Sequence, residues 1–66
     1  MREYVRDPAG RIIGIYEDHS VGGRIEVRNP SGRLLAYYDQ NRNETRDVAG
    51  RLIGQGNLLA IFLARP

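Results

Sequence analysis

The residues best equipped for chemistry in this chain are its arginines, its four tyrosines and one histidine flanked by carboxylates. His19 follows Glu17 and Asp18, and an imidazole beside two carboxylates has the makings of a general base or of one corner of a metal site. There is no cysteine and no second histidine to complete a cluster. Ser20 and Ser31 lack the glycine elbow that activates a serine nucleophile. Gly22-Gly23 and Gly54-Gln55-Gly56 lack the lysine and the following helix of a phosphate loop. His19 lies just past an apolar run and before a glycine loop, where exposed polar residues are ordinary. The expectation is therefore a non-enzyme, with no catalytic, metal-binding or cofactor-binding residue and no cofactor.

The arginines form the stronger pattern. When the chain is aligned on Gly10, Gly32 and Gly50, three segments read REYVRDPAGRIIG, RIEVRNPSGRLLA and RNETRDVAGRLIG. Arginine stands eight residues before each glycine (Arg2, Arg24, Arg42), four before it (Arg6, Arg28, Arg46) and one after it (Arg11, Arg33, Arg51). Guanidiniums pair carboxylates bidentately and stack on rings, which an ammonium does poorly. Aligned guanidiniums next to Tyr16, Tyr37 and Tyr38, with Arg6, Arg28, Arg46, Tyr16 and Tyr38 as the candidate surface, would make the charge-plus-aromatic face that grips single-stranded nucleic acid. Against this, Glu3, Glu26, Asp39 and Glu44 are interleaved with them, and the formal charge is only +2. Nucleic acid is thus an alternative partner, not the favoured one.

The elements that must hold these residues are β-hairpins. Asp7-Pro8-Ala9-Gly10 has the residue order of a type I turn closed by a left-handed glycine bulge, and Asn29-Pro30-Ser31-Gly32 repeats it. Asp47-Val48-Ala49-Gly50 keeps the ends and loses the proline. The flanks, Tyr4-Val5, Ile12 to Tyr16, Ile25 to Val27 and Leu34 to Tyr38, are strand formers. Simple pairing sets Asp7 across from Arg11, Val5 across from Ile13 and Tyr4 across from Gly14. That register predicts a core face of Val5, Ile13, Ile15, Ile25, Val27, Leu35, Tyr37, Thr45 and Ile53. It also predicts cation–π pairs of Arg2 with Tyr16 and of Arg24 with Tyr38. Gly14, Ala36 and Gly54 share a column, marking either a bend in each return strand or a close approach of backbones. Ser20 to Gly23 and Gln40 to Asn43 read as connections.

The tail carries a second echo of the unit, since Gly56-Asn57-Leu58-Leu59-Ala60-Ile61-Phe62 matches the segment from Gly32 to Tyr38. Leu58 to Leu63 holds no charge and reads as an apolar strand, with a short helix as the alternative. Such a strand is covered on both faces or lies between subunits, which makes Leu58, Leu59, Ile61, Phe62 and Leu63 a candidate oligomer interface. Sixty-six residues form one small domain, and chains of this size without disulfide or metal commonly rely on a partner subunit. The partner expected first is a second copy. Met1 is followed at once by charge, so no signal peptide is read. The apolar tail is too short to span a bilayer, so no membrane partner is expected and the compartment expected is the cytoplasm.

Units of hairpin turn, glycine, basic residue, two aliphatics, small residue, aromatic and acid resemble the small bacterial and phage proteins of the four-fold β-flower type. The residues that carry the likeness are Asp7 to Asp18, Asn29 to Asp39, Gly50 to Gly54 and Gly56 to Phe62. The resemblance implies hairpins arranged about an axis, and no catalytic residues. A lesser likeness is to tyrosine–aspartate repeats, through Gly10-Arg11-Ile12 and Gly32-Arg33-Leu34 with Asp18 and Asp39. No Tyr-Asp pair precedes the turns, and three and a half units cannot build a shell.

The expectation is thus an all-β fold of three to four antiparallel hairpins, over residues 2–18, 24–40, 42–56 and a partial 56–64, in a small barrel or flower-like sheet with a C-terminal apolar strand. Its expected role is that of a self-associating structural or interaction module.

Overall fold

The computed structural model describes residues 1–19 and 22–63. Six strands, β1 (Arg2–Arg6), β2 (Ile12–His19), β3 (Arg24–Arg28), β4 (Leu34–Asp39), β5 (Glu44–Asp47) and β6 (Leu52–Gln55), form one antiparallel sheet in chain order. The all-β hairpin architecture is as expected, but the sheet stays open. β1 and β6 lie at opposite ends of the strand order and do not pair, so the chain is not a barrel. Ser20, Val21 and Ala64 fall outside the described residues, and with them parts of the first connection and of the partial fourth unit.

The turns follow from their end residues. In each hairpin the glycine N–H donates to the carbonyl three residues back, Gly10 to Asp7, Gly32 to Asn29 and Gly50 to Asp47, all at 2.9 Å. Each of these glycines has φ between +85° and +94°, a backbone region that a Cβ disfavours. The Asp7, Asn29 and Asp47 side chains each accept the backbone N–H four residues on, at 2.9 Å. That side-chain bond explains why the third turn survives with Val48 in place of proline.

The register departs from simple alternation one step beyond the turn. Arg6 pairs with Ile12, yet Val5 pairs with Gly14, which leaves Ile13 unopposed. Leu35 is skipped in the same way between Arg28↔Leu34 and Val27↔Ala36, and Ile53 between Arg46↔Leu52 and Thr45↔Gly54. Each hairpin therefore holds a β-bulge at its second aliphatic, and beyond it the return strand is turned over. The expected register of Val5 with Ile13 and Tyr4 with Gly14 is corrected to Val5 with Gly14 and Tyr4 with Ile15. The outgoing strands keep their expected core residues Val5, Ile25, Val27 and Thr45. The return strands instead place Gly14, Tyr16, Ala36, Tyr38 and Gly54 on that face; of their expected core residues, Leu35 still packs against the core and Ile15 is buried, but on the opposite face.

This correction explains the tail. The column of small residues is a groove along the sheet, and the C-terminal segment lies in it. A Cβ on Gly14 would collide with Leu63, and one on Gly54 would stand 2.7 Å from Leu58 Cδ1. Ala36 is fully buried between them in the same core as Val27, Leu59 and Leu63. The column therefore marks a close approach.

The expected apolar strand is a 3₁₀ turn, Leu59–Phe62. The reason lies in its entry and its hydrogen bonds. Gly56 adopts φ +83° and turns the chain off the sheet. Thr45 Oγ1, buried, donates to the Gly56 carbonyl at 2.7 Å and accepts the Leu58 N–H at 3.0 Å. The Ile61 and Leu63 N–H groups then donate to Leu58 and Ala60 carbonyls. A lone strand lying across the sheet face would have left those donors unpaired.

The core is small enough for single residues to decide stability. We expect Leu59→Ala to cost about 2–5 kcal/mol, against about 3–10 kcal/mol for a whole domain of this size. Urea unfolding followed by circular dichroism should show the midpoint collapse. Ile61→Ala, on the same turn but 56% exposed, should shift stability by no more than about 0.5 kcal/mol.

Candidate interaction face

The sheet face opposite the tail carries most of the charge. One row crosses all six strands through Arg2, Glu17, Glu26, Tyr37, Arg46 and Leu52. Above it run His19, Arg24, Asp39, Glu44 and Gln55, and below it Tyr4, Ile15, Arg28 and Leu34. These rows put like charges together at both joints between hairpins. Glu17 faces Glu26 where β2 meets β3, and Asp39 faces Glu44 where β4 meets β5. Directly opposed carboxylates destabilise a sheet.

Arginines relieve this repulsion. Arg2 Nε reaches Glu17 at 2.7 Å, Arg28 reaches Glu26 at 2.8 Å and Arg46 reaches Glu44 at 2.9 Å. Arg42 lies 4.0 Å from Asp39. The arginines four before each turn glycine have a second task. Arg6, Arg28 and Arg46 donate through Nη1 to the Gly10, Gly32 and Gly50 carbonyls at 2.9, 3.0 and 2.7 Å. Arg28 and Arg46 thereby fork between a turn and a glutamate, using the planar geometry that distinguishes arginine from lysine. Arg6 has Tyr4 where the others have glutamate, so among the described residues only its turn contact is formed. Arg11 and Arg51 pair with Asp7 and Asp47 at 3.2 and 3.0 Å, while Arg33 faces the neutral Asn29.

His19 joins this network. Its Nε2 lies 3.1 Å from Glu26 Oε1, the oxygen that also accepts from Arg28. Burial alone would push the Glu26 carboxyl up, but the hydrogen bonds from His19 and Arg28 outweigh it and hold the group below its usual value. The hydrogen bond from Arg2 likewise lowers Glu17, and the Arg51 backbone N–H lowers Asp47. His19, Arg24, Glu26, Tyr37, Asp39 and Arg42 line an open groove of about 590 Å³. Across it the Arg24 guanidinium lies 3.8 Å from the Tyr37 ring centre. Among the described residues no three histidine, cysteine or carboxylate side chains converge as a metal site.

The structure does not assemble the surface expected from Arg6, Arg28, Arg46, Tyr16 and Tyr38. The arginines stand on this face, whereas Tyr16 and Tyr38 lie on the tail-covered face in rows with Val27 and Ile25. Tyr38 donates to Asn43 Oδ1 at 2.6 Å. The cation–π pair is Arg24 with Tyr37, not Tyr38, and Arg2 meets Glu17, not Tyr16. Both corrections have one cause, the bulge that shifts each return strand by a residue. The consecutive aliphatics Ile12-Ile13, Leu34-Leu35 and Leu52-Ile53, which break alternation at the same place in each unit, were the signal for it. Of the candidate oligomer residues, Leu59 and Leu63 are buried in the chain's own core, Phe62 packs against that core, Leu58 lies against Gly54, and Ile61 points outward.

Two outcomes test this network. Arg46→Lys keeps the charge but not the fork, and should cost about 1 kcal/mol, read from the urea midpoint. Because the carboxyls of Glu17, Glu26 and Asp47 sit below their usual values, their contribution is present above the ordinary carboxylate range and is lost as pH falls through the lowered values. Stability should be level from pH 7 to about pH 5 and decline below about pH 4.5. Glu26→Gln should flatten that decline.

No helix among the described residues is long and apolar enough to cross a membrane. Compared with known proteins, the chain matches no protein-family model, no curated protein and no solved structure.

Proposed function

We propose that the protein is a non-enzymatic β-hairpin repeat module that acts as a structural or protein-interaction element and associates with copies of itself. The observation that carries this reading is the open sheet. Among the described residues β1 and β6 each keep one edge without a partner strand, and Tyr4, Leu52 and Ile53 on those strands are 48%, 52% and 39% exposed. Unpaired N–H and C=O groups along a strand are a template for another chain. A core of this size also leaves the monomer marginal, so burial against a partner adds a large fraction to its stability. The likeness to flower-type hairpin repeats goes with the same reading, since it too implies a fold without catalytic residues.

The alternative, a surface for single-stranded nucleic acid, has one observation in its favour. Arg24 and Tyr37 stack within a groove that Arg42 also lines. It is the weaker reading because most of the guanidiniums on that face already hold a turn carbonyl or a carboxylate.

Size-exclusion chromatography with light scattering over a range of concentrations separates the two. A mass that rises above the 7.5 kDa of one chain is expected, and a monomer at every concentration would overturn the first reading. A labelled oligonucleotide whose binding weakens steeply with salt, and is lost in Arg24→Ala, would favour the second.

A further inference from the structure

The two joints between hairpins share one register. Ile15, five residues after Gly10, faces Arg28, four before Gly32. Tyr37, five after Gly32, faces Arg46, four before Gly50. The third return strand, β6, matches the other two through its small residue, Gly54, and among the described residues it is followed by the tail and not by another hairpin. We propose that the free edge of β6 receives the first hairpin of a second copy of this chain, in the register by which β2 receives β3 and β4 receives β5. This inference rests on the self-association reading and names its surface. By the same count, Gln55 would face Arg6 of the second copy.

Three observations point to that occupant. The first is a contrast in burial among equivalent side chains. Ile12-Ile13 and Leu34-Leu35 are half-buried, whereas Leu52 and Ile53, at the same places in the unit, are exposed. The first two pairs have a following hairpin beside them. Pro30, in the turn of the second hairpin, shares a pocket with Ile12 and Ile13. Pro8 is the residue equivalent to Pro30 in the first hairpin, and a second copy docked in this register would carry it over Leu52 and Ile53.

The second observation is that the edge is open and unguarded. The Gly56 N–H donates back to Asn43 at 2.8 Å, and the alternation of an antiparallel ladder then turns the Gln55 N–H and C=O away from β5, outward. Exposed edges are usually blunted by charge or proline, but Leu52, Ile53, Gly54 and Gln55 carry neither.

The third observation is electrostatic. The internal joints oppose Glu17 to Glu26 and Asp39 to Glu44, and need arginines to hold them. On β6 the chain leaves the sheet at Gly56, one residue before the place where the internal joints carry Glu17 or Asp39, and β1 carries Tyr4 in place of Glu26 or Glu44, so docking would bring no carboxylate against another. The other free edge, on β1, is equivalent to the edges of β3 and β5 that already serve as the received hairpin's side of each internal joint. A joint of this kind is head-to-tail. It leaves one β1 and one β6 free at the ends, so assembly continues with concentration unless a ring closes.

The test begins with sedimentation of the intact chain and of Leu52→Lys/Ile53→Lys. Both positions are exposed, so the variant should keep its circular dichroism while its association weakens at least tenfold. If wild type and variant associate alike, the β6 edge is not the surface and this inference fails, although self-association stands. If wild type stays monomeric throughout, both fail. A cross-linking pair then reads the geometry, which is clean because the chain has no cysteine. Ile53→Cys chains mixed with Pro8→Cys chains should give a mixed product with a short thiol cross-linker. A product only between two Ile53→Cys chains would mean an edge-to-edge pair of like strands and would overturn the head-to-tail joint.

Discussion

The bulge at the second aliphatic of each hairpin is the constraint on which the other features turn. A strand's side chains alternate faces, so one extra residue transfers everything beyond it to the other side. Without the skip at Ile13, Leu35 and Ile53, the covered face would carry Ile15, Tyr37 and Gln55 in place of Tyr16, Tyr38 and Gly56. With it, Gly14, Ala36 and Gly54 line one groove, and Leu58, Leu59 and Leu63 fill that groove. The bulge also places Tyr37 on the charged face, where Arg24 stacks on it. Core packing, tail conformation and surface chemistry thus share one local cause.

The arginine columns serve this architecture before they serve any partner. Repeating a hairpin repeats its charges, and stacking copies in one register sets carboxylate against carboxylate at each joint. A guanidinium can satisfy a turn carbonyl and a carboxylate together, which relieves the repulsion and ties the turn to the strand. Solvent-exposed pairs of this kind contribute little singly. Glu26 differs because it is nearly buried and is held by both Arg28 and His19. An arginine pattern that suggests a nucleic-acid surface in sequence is, in three dimensions, largely a set of internal contacts.

The limits of the sequence reading follow the same physics. Turns were legible because Asp or Asn at the first position and glycine at the fourth satisfy local hydrogen bonds and a left-handed φ that no distant contact alters. The outgoing strands were legible because Val5, Ile25, Val27 and Thr45 alternate without interruption. The return strands were misread because a bulge has no large propensity signature, only two adjacent aliphatics where alternation asks for one. The tail was misread because an apolar run of this length suits a strand or a helical turn equally. Thr45, whose hydroxyl pins the tail at Gly56 and Leu58, is an unremarkable strand residue until its neighbours are known.

What the sequence determined by itself was the repeat, the three turns and the all-β class, each governed by interactions that span a few residues. What only the tertiary structure decided was which face each return strand presents, that the small column receives the chain's own C-terminus, and which guanidiniums have partners. These depend on contacts such as Leu63 with Gly14 and Arg2 with Glu17, between residues far apart in the chain. A one-residue slip in register, invisible to local propensity, exchanges one set of such contacts for another.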